Sequence, residues 1–284
     1  MMRIITWNIQ WGRGADGRVA LDRTIAALRD MGGADVICLQ EVVRGFADLA
    51  ADPLDEVAAL AAAFPEHEAV FGAGVDVPGE HEGRGQFGNL LLSRYPVGPV
   101  FRHALPFPAD AGVPGMPRCC VEAVLDAPSG PLRVLTTHLE YYSDLQRRTQ
   151  VMALRQLQEE AAEHAVAAAK GRKDANPAFA RQPRPVEAVI CGDFNMEPDS
   201  PAYALMAEPT ADEGVGWVDA WRACNGDVAH EPTVGLHGAA WPDRQYCCDY
   251  FWVSAVLASR VRSVAVETAT PASDHQPVML ELDF

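Results

Sequence analysis

The chain reads as an α/β sandwich. Strand-like segments outnumber helical ones, hairpin turns alternate with amphipathic helices, and strand after strand ends in a polar residue that follows an apolar run. Helices with a single apolar stripe belong outside sheets, so two sheets with helices on their outer faces are expected, in one domain spanning residues 1–284.

Ile4-Ile5-Thr6-Trp7-Asn8-Ile9 is a strand whose alternation breaks at Asn8. An amide inside an apolar strand must be hydrogen-bonded or coordinate something. A glycine-rich loop over 12–17 precedes Leu21, Ile25 and Leu28 at helical spacing, and Gly32-Gly33 stops that helix. Asp35 to Glu41 is a second buried strand with the polar pair Gln40-Glu41 at its carboxyl end, where sheet proteins gather their sites. Asp52-Pro53 reads as an N-cap and first helical residue, with Val57, Leu60, Ala61 and Phe64 as the apolar stripe that follows.

Gly72 to Gly88, rich in glycine and charge, reads as a rim before Asn89 to Ser93 resumes a strand. Leu105 to Pro117 holds four prolines and two glycines and is a loop, closed by Arg118 ahead of the strand Val121 to Leu125. A turn at Pro128-Ser129-Gly130 leads into Leu132 to His138, again a strand with a polar end. Ser143-Asp144-Leu145-Gln146 is a capping box, and its helix is expected to run to about Lys170 with Val151, Leu154, Leu157, Ala161 and Ala165 inward. The basic, proline-containing stretch 171–185 is expected to be an exposed connection within one fold.

Val189-Ile190-Cys191-Gly192-Asp193-Phe194-Asn195 carries the most chemistry. Three apolar residues make a buried strand, Gly192 permits a tight exit, and Asp193 and Asn195, two apart, can address one spot. Their oxygens suit a hard cation or a water held for attack on phosphate; the same residues also suit a turn that caps a helix. Ser200-Pro201 opens another helix, and Tyr246 to Val253 is a strand carrying Asp249 in apolar company. Strands around Val261 to Val266 and Pro277 to Leu282 flank Ser273-Asp274-His275.

Composition narrows the partners. With 49% hydrophobic residues in 284, the chain can bury a large core. Met1 to Trp7 enters a strand at once without a signal-like apolar region, and no run approaches a membrane span, so a cytoplasmic protein that avoids the membrane is expected. The seven cysteines are too few and irregular for a disulfide framework, and the adjacent pairs Cys119-Cys120 and Cys247-Cys248 are too tightly spaced for a usual zinc site; buried strand cysteines are expected. The net charge of −16 disfavours long DNA or RNA, because counterion release needs a basic face. Oligomeric state leaves no mark.

Asn8, Glu41, His138, Asp193, Asn195, Asp249, Asp274 and His275 are the polar residues that interrupt or end apolar strands. Carboxylates gathered in one site repel one another unless a cation compensates, so a divalent metal is implied. The motifs Trp7-Asn8-Ile9, Leu39-Gln40-Glu41, Thr137-His138-Leu139, Gly192-Asp193-Phe194-Asn195, the Asp249 strand and Ser273-Asp274-His275 resemble, in order, those of the endonuclease/exonuclease/phosphatase superfamily. Each is weak alone, but their succession covers essentially the whole chain. The resemblance implies a four-layer α-β-β-α sandwich of two mixed sheets, DNase I-like, that hydrolyses phosphoesters with Mg²⁺, or Mn²⁺ in its place. By the same resemblance Glu41 is the principal metal ligand with Asn8 beside it, and Asp274 reaches the metal directly or through water. Asp193 orients or deprotonates the attacking water, and Asn195 holds that water or a phosphate oxygen. His275 hydrogen-bonds the phosphate with its tautomer set by Asp249, His138 binds from the opposite side, and Arg118 is a further phosphate clamp.

The leaving group is less legible. Repair nucleases of this superfamily commonly carry an acid where this chain has Gln10, which with the charge points away from DNA repair. Thr137-His138-Leu139-Glu140 looks like branches containing deadenylases, sphingomyelinases and phosphotyrosyl-DNA phosphodiesterases. A phosphodiesterase or phosphatase acting on a small or terminal phosphoester is expected. The alternatives are a nuclease on DNA or RNA, with Arg13, Arg18, Arg84, Arg147 and Arg148 as a basic track and Phe107 and Trp241 stacking on bases, and a non-catalytic binding module. The rims 72–88, 105–117 and 225–245 are expected to set specificity.

Overall fold

The computed structural model of the chain describes residues 1–49, 54–79, 83–167, 182–212 and 214–284. Its strands and helices run β1 (Met2–Asn8), α1 (Leu21–Asp30), β2 (Val36–Arg44), α2 (Glu56–Ala63), β3 (Glu68–Pro78), β4 (Arg84–Ser93), β5 (Val97–Ala104), β6 (Cys119–Ala127), β7 (Gly130–His138), α3 (Asp144–Val166), β8 (Ala188–Asp193), α4 (Pro201–Met206), β9 (Trp217–Asp219), α5 (Ala220–Asn225), β10 (Asp249–Ser254), β11 (Val261–Val266) and β12 (Val278–Leu282). They form two six-stranded sheets, ordered β11-β12-β1-β2-β4-β3 and β5-β6-β7-β8-β10-β9. Each sheet is mixed, with one parallel pair at its centre, β1 with β2 and β7 with β8.

Strand periodicity sorts the apolar residues into layers. Met2 and Ile4, Val36 and Cys38, Val134, Val189 and Cys191, Phe251 and Val253, and Leu280 share one core between the sheets. Their sequence neighbours Ile5, Trp7, Ile37 and Leu39 face outward and pack with α1 and α2. Leu135, Ile190, Tyr250 and Trp252 pack on the other outer side with Val151 and Leu154 of α3 and Ala202 of α4. The result is helix, sheet, sheet, helix. Each fully buried large side chain contributes about 1.5–3 kcal/mol toward holding the layers together.

Several local expectations need correction. The N-cap of α2 is Asp55, whose carboxylate accepts from Ala58 N, while Asp52 and Pro53 lie outside the described residues. Leu60, Phe64 and Val57 pack against the first sheet, but Ala61 does not join them; Ala59 and Ala63 do. Gly72 to Gly88 is mostly strand, the paired β3 and β4, because its glycines relieve close approaches: a Cβ on Gly88 would meet Gly72 O at 2.0 Å. Helix α3 ends at Val166, short of Lys170, which lies outside the described residues. Ala165 is exposed, and the buried face of α3 takes Gln146, Gln150 and Gln158 alongside Val151, Leu154 and Ala161. Glutamines occur there because partners reach them: Gln158 accepts from buried Arg133 at 2.7 Å, and Gln150 accepts from Glu140 N at 2.9 Å.

Candidate active site

The row of residues that faces the opposite sheet is mostly apolar along the central strands and turns polar toward one rim. On β1 it runs Met2, Ile4, Thr6, Asn8; on β8 it runs Val189, Cys191, Asp193; on β10 Phe251 and Val253 share the face with Asp249. Register aligns these ends, since Asp193 pairs with His138 on β7 to one side and with Asp249 on β10 to the other. The strand termini therefore deliver a histidine and two acids side by side at one rim of the sandwich.

Gly192 has a role other than the tight exit expected of it. It is inside β8, at φ 144°, and a Cβ there would lie 1.8 Å from Thr137 O. Only glycine lets β7 and β8 approach closely enough to bring His138 beside Asp193. Asn195 likewise reaches the site by another route than strand alternation. It lies past the strand in the left-handed region at φ 48°, donates from its side chain to Leu139 O and from its backbone to Asp193 Oδ1, each at 2.9 Å.

Glu41 depends on a bulge. Alternation from Ile37 and Leu39 would send it to the helix side of the sheet. Instead the β2–β4 register slips between Leu39 and Val42, and Glu41 takes φ 58°. The inserted residue turns its carboxylate to Asn8 Nδ2, 3.0 Å away, while Leu39 and Val42 both stay in the outer core. Gln40 points between the sheets and donates to Thr136 Oγ1 at 2.9 Å, so of the Gln40-Glu41 pair only Glu41 lines the cleft.

Asn8 stands at the centre. Its Nδ2 donates to Glu41 Oε1 and to Asp193 Oδ2, both at 3.0 Å, and its Oδ1 accepts from Gln10 N at 3.1 Å. His138 Nε2 is 3.4 Å and His275 Nε2 3.7 Å from Asp193 Oδ2. His275 Nδ1 donates to Asp249 Oδ2 at 2.9 Å, which leaves Nε2 to face the cleft. Asp274 accepts from Gln10 Nε2 at 2.8 Å. Arg118 is buried, its Nε donates to Glu140 at 3.3 Å, and its Nη1 is buried without a partner. The cleft over these groups holds about 580 Å³ and is lined by Glu41, His138, Asp193, Asn195, Asp274, His275 and Arg118. Asn8 and Asp249 lie just beneath it, in contact with Glu41, Asp193 and His275.

Of the supporting residues Thr233 came without a sequence signal of its own, whereas Trp7 and Glu140 stand in motifs singled out above. Thr233, on a loop, donates from Oγ1 to Asp249 Oδ2 at 2.6 Å, and the Trp7 indole donates to His275 O at 3.0 Å. Glu140 accepts from the backbone of Tyr141 and Tyr142, both at 3.0 Å, and so fixes the turn that holds Arg118. Ser273 does belong to a recognised motif, and its hydroxyl donates to Asn8 O at 2.8 Å.

Electrostatics separate these groups. Burial, then the charge of Asp274, pushes Glu41 up to about 7. Burial also raises Asp193, to about 6. Burial opposes a charge on His275, but Asp249 and Asp193 outweigh it and hold its pKa well above the ordinary histidine value. His138 goes the other way, pushed well down by burial and then by Arg118 and His275. The two histidines are thus shifted in opposite directions.

Two groupings could receive a metal. Asp193, Cys248, Asp249 and His275 place ligand atoms within 4.8 Å of one another. They already satisfy each other, however, through the Asp249–His275 bond, and burial pushes the Cys248 thiol well above its usual range, so it is no thiolate. Glu41 with Asp274 offers oxygen donors whose mutual repulsion is only partly offset by Asn8 and His275, and this set fits a hard divalent cation.

The chain belongs to the endonuclease/exonuclease/phosphatase family, whose model matches residues 5–275. Members of that family hydrolyse phosphoesters. Among solved structures, an endonuclease/exonuclease/phosphatase from Beutenbergia cavernae superposes with a TM-score of 0.67 at 22% identity, over 98% of this chain and 70% of its own. A mannosyl-6-phosphatase from Bacteroides thetaiotaomicron gives 0.64 at 17% identity, over 100% of both chains. A Neisseria 3′ phosphatase bound to a product DNA hairpin gives 0.62 at 19%, also over 100% of both. Identities this low establish the shared fold alone. No curated protein matches the sequence. No helix among the described residues is long and apolar enough to cross a membrane.

Proposed function

We propose that this chain is a Mg²⁺-dependent hydrolase of a small or terminal phosphoester, a phosphodiesterase or phosphatase, with Mn²⁺ able to replace Mg²⁺. The observation that carries it is the amide of Asn8 set between Glu41 and Asp193, one acid from each sheet, beneath a cleft that also holds His138 and His275. Glu41 and Asp274, with Asn8 beside them, would hold the metal, which when bound neutralises phosphoryl charge and stabilises the leaving oxygen.

The chain's own residues supply the rest. Asp193, ionised above about pH 6, takes the proton of the attacking water, and the Asn195 backbone N–H on its other oxygen keeps the carboxylate aimed. Asn195 steadies that water or a phosphate oxygen. Protonated His275 donates from Nε2 to a non-bridging oxygen, with Asp249 and behind it Thr233 fixing the ring. His138, neutral, donates from the other side, and the unpartnered Nη1 of Arg118 is a ready phosphate donor. Water attacks in line, so no phosphoryl group passes to a side chain.

Charge weighs against a nucleic acid track. Arg13, Arg18, Arg84, Arg147 and Arg148 do not line the cleft. Arg84 is held by Asp76 and Arg147 by the carbonyls of Glu140 and Tyr141. Of the two aromatic residues expected to stack, Trp241 lines the cleft and Phe107 instead lies near Gly115. The test is hydrolysis of a chromogenic phosphodiester and its monoester with Mg²⁺, Mn²⁺ or chelator, for wild type and Asp193→Asn. Metal-dependent turnover abolished by the substitution is the expected result, and the diester to monoester ratio decides between phosphodiesterase and phosphatase; metal-independent turnover, or none, would refute the assignment.

A further inference from the structure

The cleft has a polar floor and aromatic walls. Phosphate chemistry accounts for the floor and leaves the walls unexplained. On the side of the first sheet stand Trp11, Phe87 and Phe46, with the Trp11 and Phe87 rings 6.3 Å apart and inclined at 56°. On the side of the second sheet stand Tyr141, Trp241 and Tyr246, with Tyr141 edge-on to Trp241 at 6.5 Å.

These rings are placed at some expense to the fold. Gln10 and Trp11 are consecutive non-glycine residues at φ 45° and 43°, in the left-handed region that costs such residues energy. Trp241 is 57% exposed, an unusual position for an indole that has no ligand to cover. The Phe46 ring lies over Gly85, where a Cβ would meet it at 3.1 Å, so β4 leaves room for it.

Beyond the two histidines of the floor, the same cleft offers few cations, and Arg244, stacked on Tyr246 at 4.5 Å, is held by Glu197. Among the described residues Arg118 is the only arginine or lysine lining it, and its Nε is already on Glu140. Away from the floor, where the histidines and Arg118 serve the first phosphate, a second phosphate of a substrate would meet mainly aromatic surface.

Resting on the phosphoesterase assignment above, we propose that the substrate carries a single phosphate on an uncharged organic group with an apolar face, and that Trp11 and Trp241 select it by packing against that face. Rigid aromatic side chains gain contact area at little loss of rotamer freedom, so they bind such a group efficiently.

The test is calorimetric titration of the Mg²⁺-loaded protein with methylphosphonate, benzylphosphonate, hexylphosphonate and a hexane bisphosphonate, for wild type, Trp11→Ala and Trp241→Ala. Benzyl- or hexylphosphonate is expected to bind at least about tenfold tighter than methylphosphonate, the scale of one buried ring face. Whichever of the two binds tighter identifies the group as ring or chain. Each substitution is expected to bring that ratio down to about twofold, and the second phosphonate is expected to add nothing. Equal affinity for the methyl and the larger phosphonates, a ratio that neither variant changes, or tighter binding of the bisphosphonate would overturn the proposal. Trp241, being exposed, keeps the test valid if Trp11→Ala fails to fold. Metal-dependent turnover with no such preference would sink this inference alone, whereas absence of any turnover would bring down the phosphoesterase assignment with it.

Discussion

Asn8 Nδ2 lies 3.0 Å from Asp193 Oδ2, a contact that ties the carboxyl end of β1 in one sheet to that of β8 in the other. The same nitrogen is 3.0 Å from Glu41 Oε1, so one amide keeps two buried carboxylates apart and partly satisfied. Asn8→Ala is expected to destabilise the protein by about 1–3 kcal/mol, because both acids lose a donor. Turnover is expected to drop by about a hundredfold as their placement loosens. Urea unfolding beside the phosphoester assay checks both, and full activity in the variant would show that the bridge is dispensable.

Stability should depend on pH with a definite sign. Glu41 and Asp193 are held up to about 7 and about 6, chiefly by burial, and buried Glu56, whose carboxylate accepts from Val43 N, is likewise pushed to about 7. All lie above the ordinary carboxylate values near about 4. Between about pH 4 and 7 the native state keeps protons that the unfolded chain has released, so the metal-free protein loses stability as pH rises through that window. Glu56→Gln removes its share of the slope. Thermal melts at several pH values test this; a melting temperature that climbs from pH about 5 to about 7 without metal contradicts it.

Turnover should run the opposite way. Below about pH 6 Asp193 is protonated and cannot accept from water, and the rate is expected to fall about tenfold per unit. The limb should be missing in Asp193→Asn, whose residual rate is flat there.

Glu41→Gln separates the metal from the fold. The amide keeps the shape but removes a buried charge that the bulge of β2 presents to Asp274. Turnover is expected to drop at least about a thousandfold and Mg²⁺ affinity with it, while the metal-free protein becomes no less stable. Titration of Mg²⁺ against the melting temperature shows this directly, as a rise in wild type that the variant lacks.

Gly192→Ala is expected to destabilise by more than about 3 kcal/mol. Its Cβ would sit 1.8 Å from Thr137 O at φ 144°, and the β7–β8 pair has no slack to yield. A melting temperature within a few degrees of wild type would show that the strands can part.

The apolar runs and their polar ends made the central strands legible, because a strand buried between a partner sheet and a helix layer must be apolar on both faces until it meets solvent. Asn8, His138, Asp193 and Asp249 stood out for that reason; the last three meet in register, and Asn8 reaches Asp193 from the other sheet. The β3–β4 hairpin was harder to see, since glycine and charge in Gly72 to Gly88 mimic a loop while in fact relieving backbone crowding. The inward glutamines of α3 were hidden by polarity that only distant partners such as Arg133 satisfy.

By itself, then, the sequence determined the sandwich and the polar residues that end its central strands, because periodicity and chain order are local properties. Tertiary structure alone decided how those residues are aimed. The bulge that turns Glu41 back from the helix side, the close approach permitted by Gly192, the donor that Thr233 brings to Asp249 and the aromatic walls around Trp11 and Trp241 all arise from contacts between segments far apart in the chain. Such contacts depend on packing distances of a few tenths of an ångström, which no local pattern of residue types encodes.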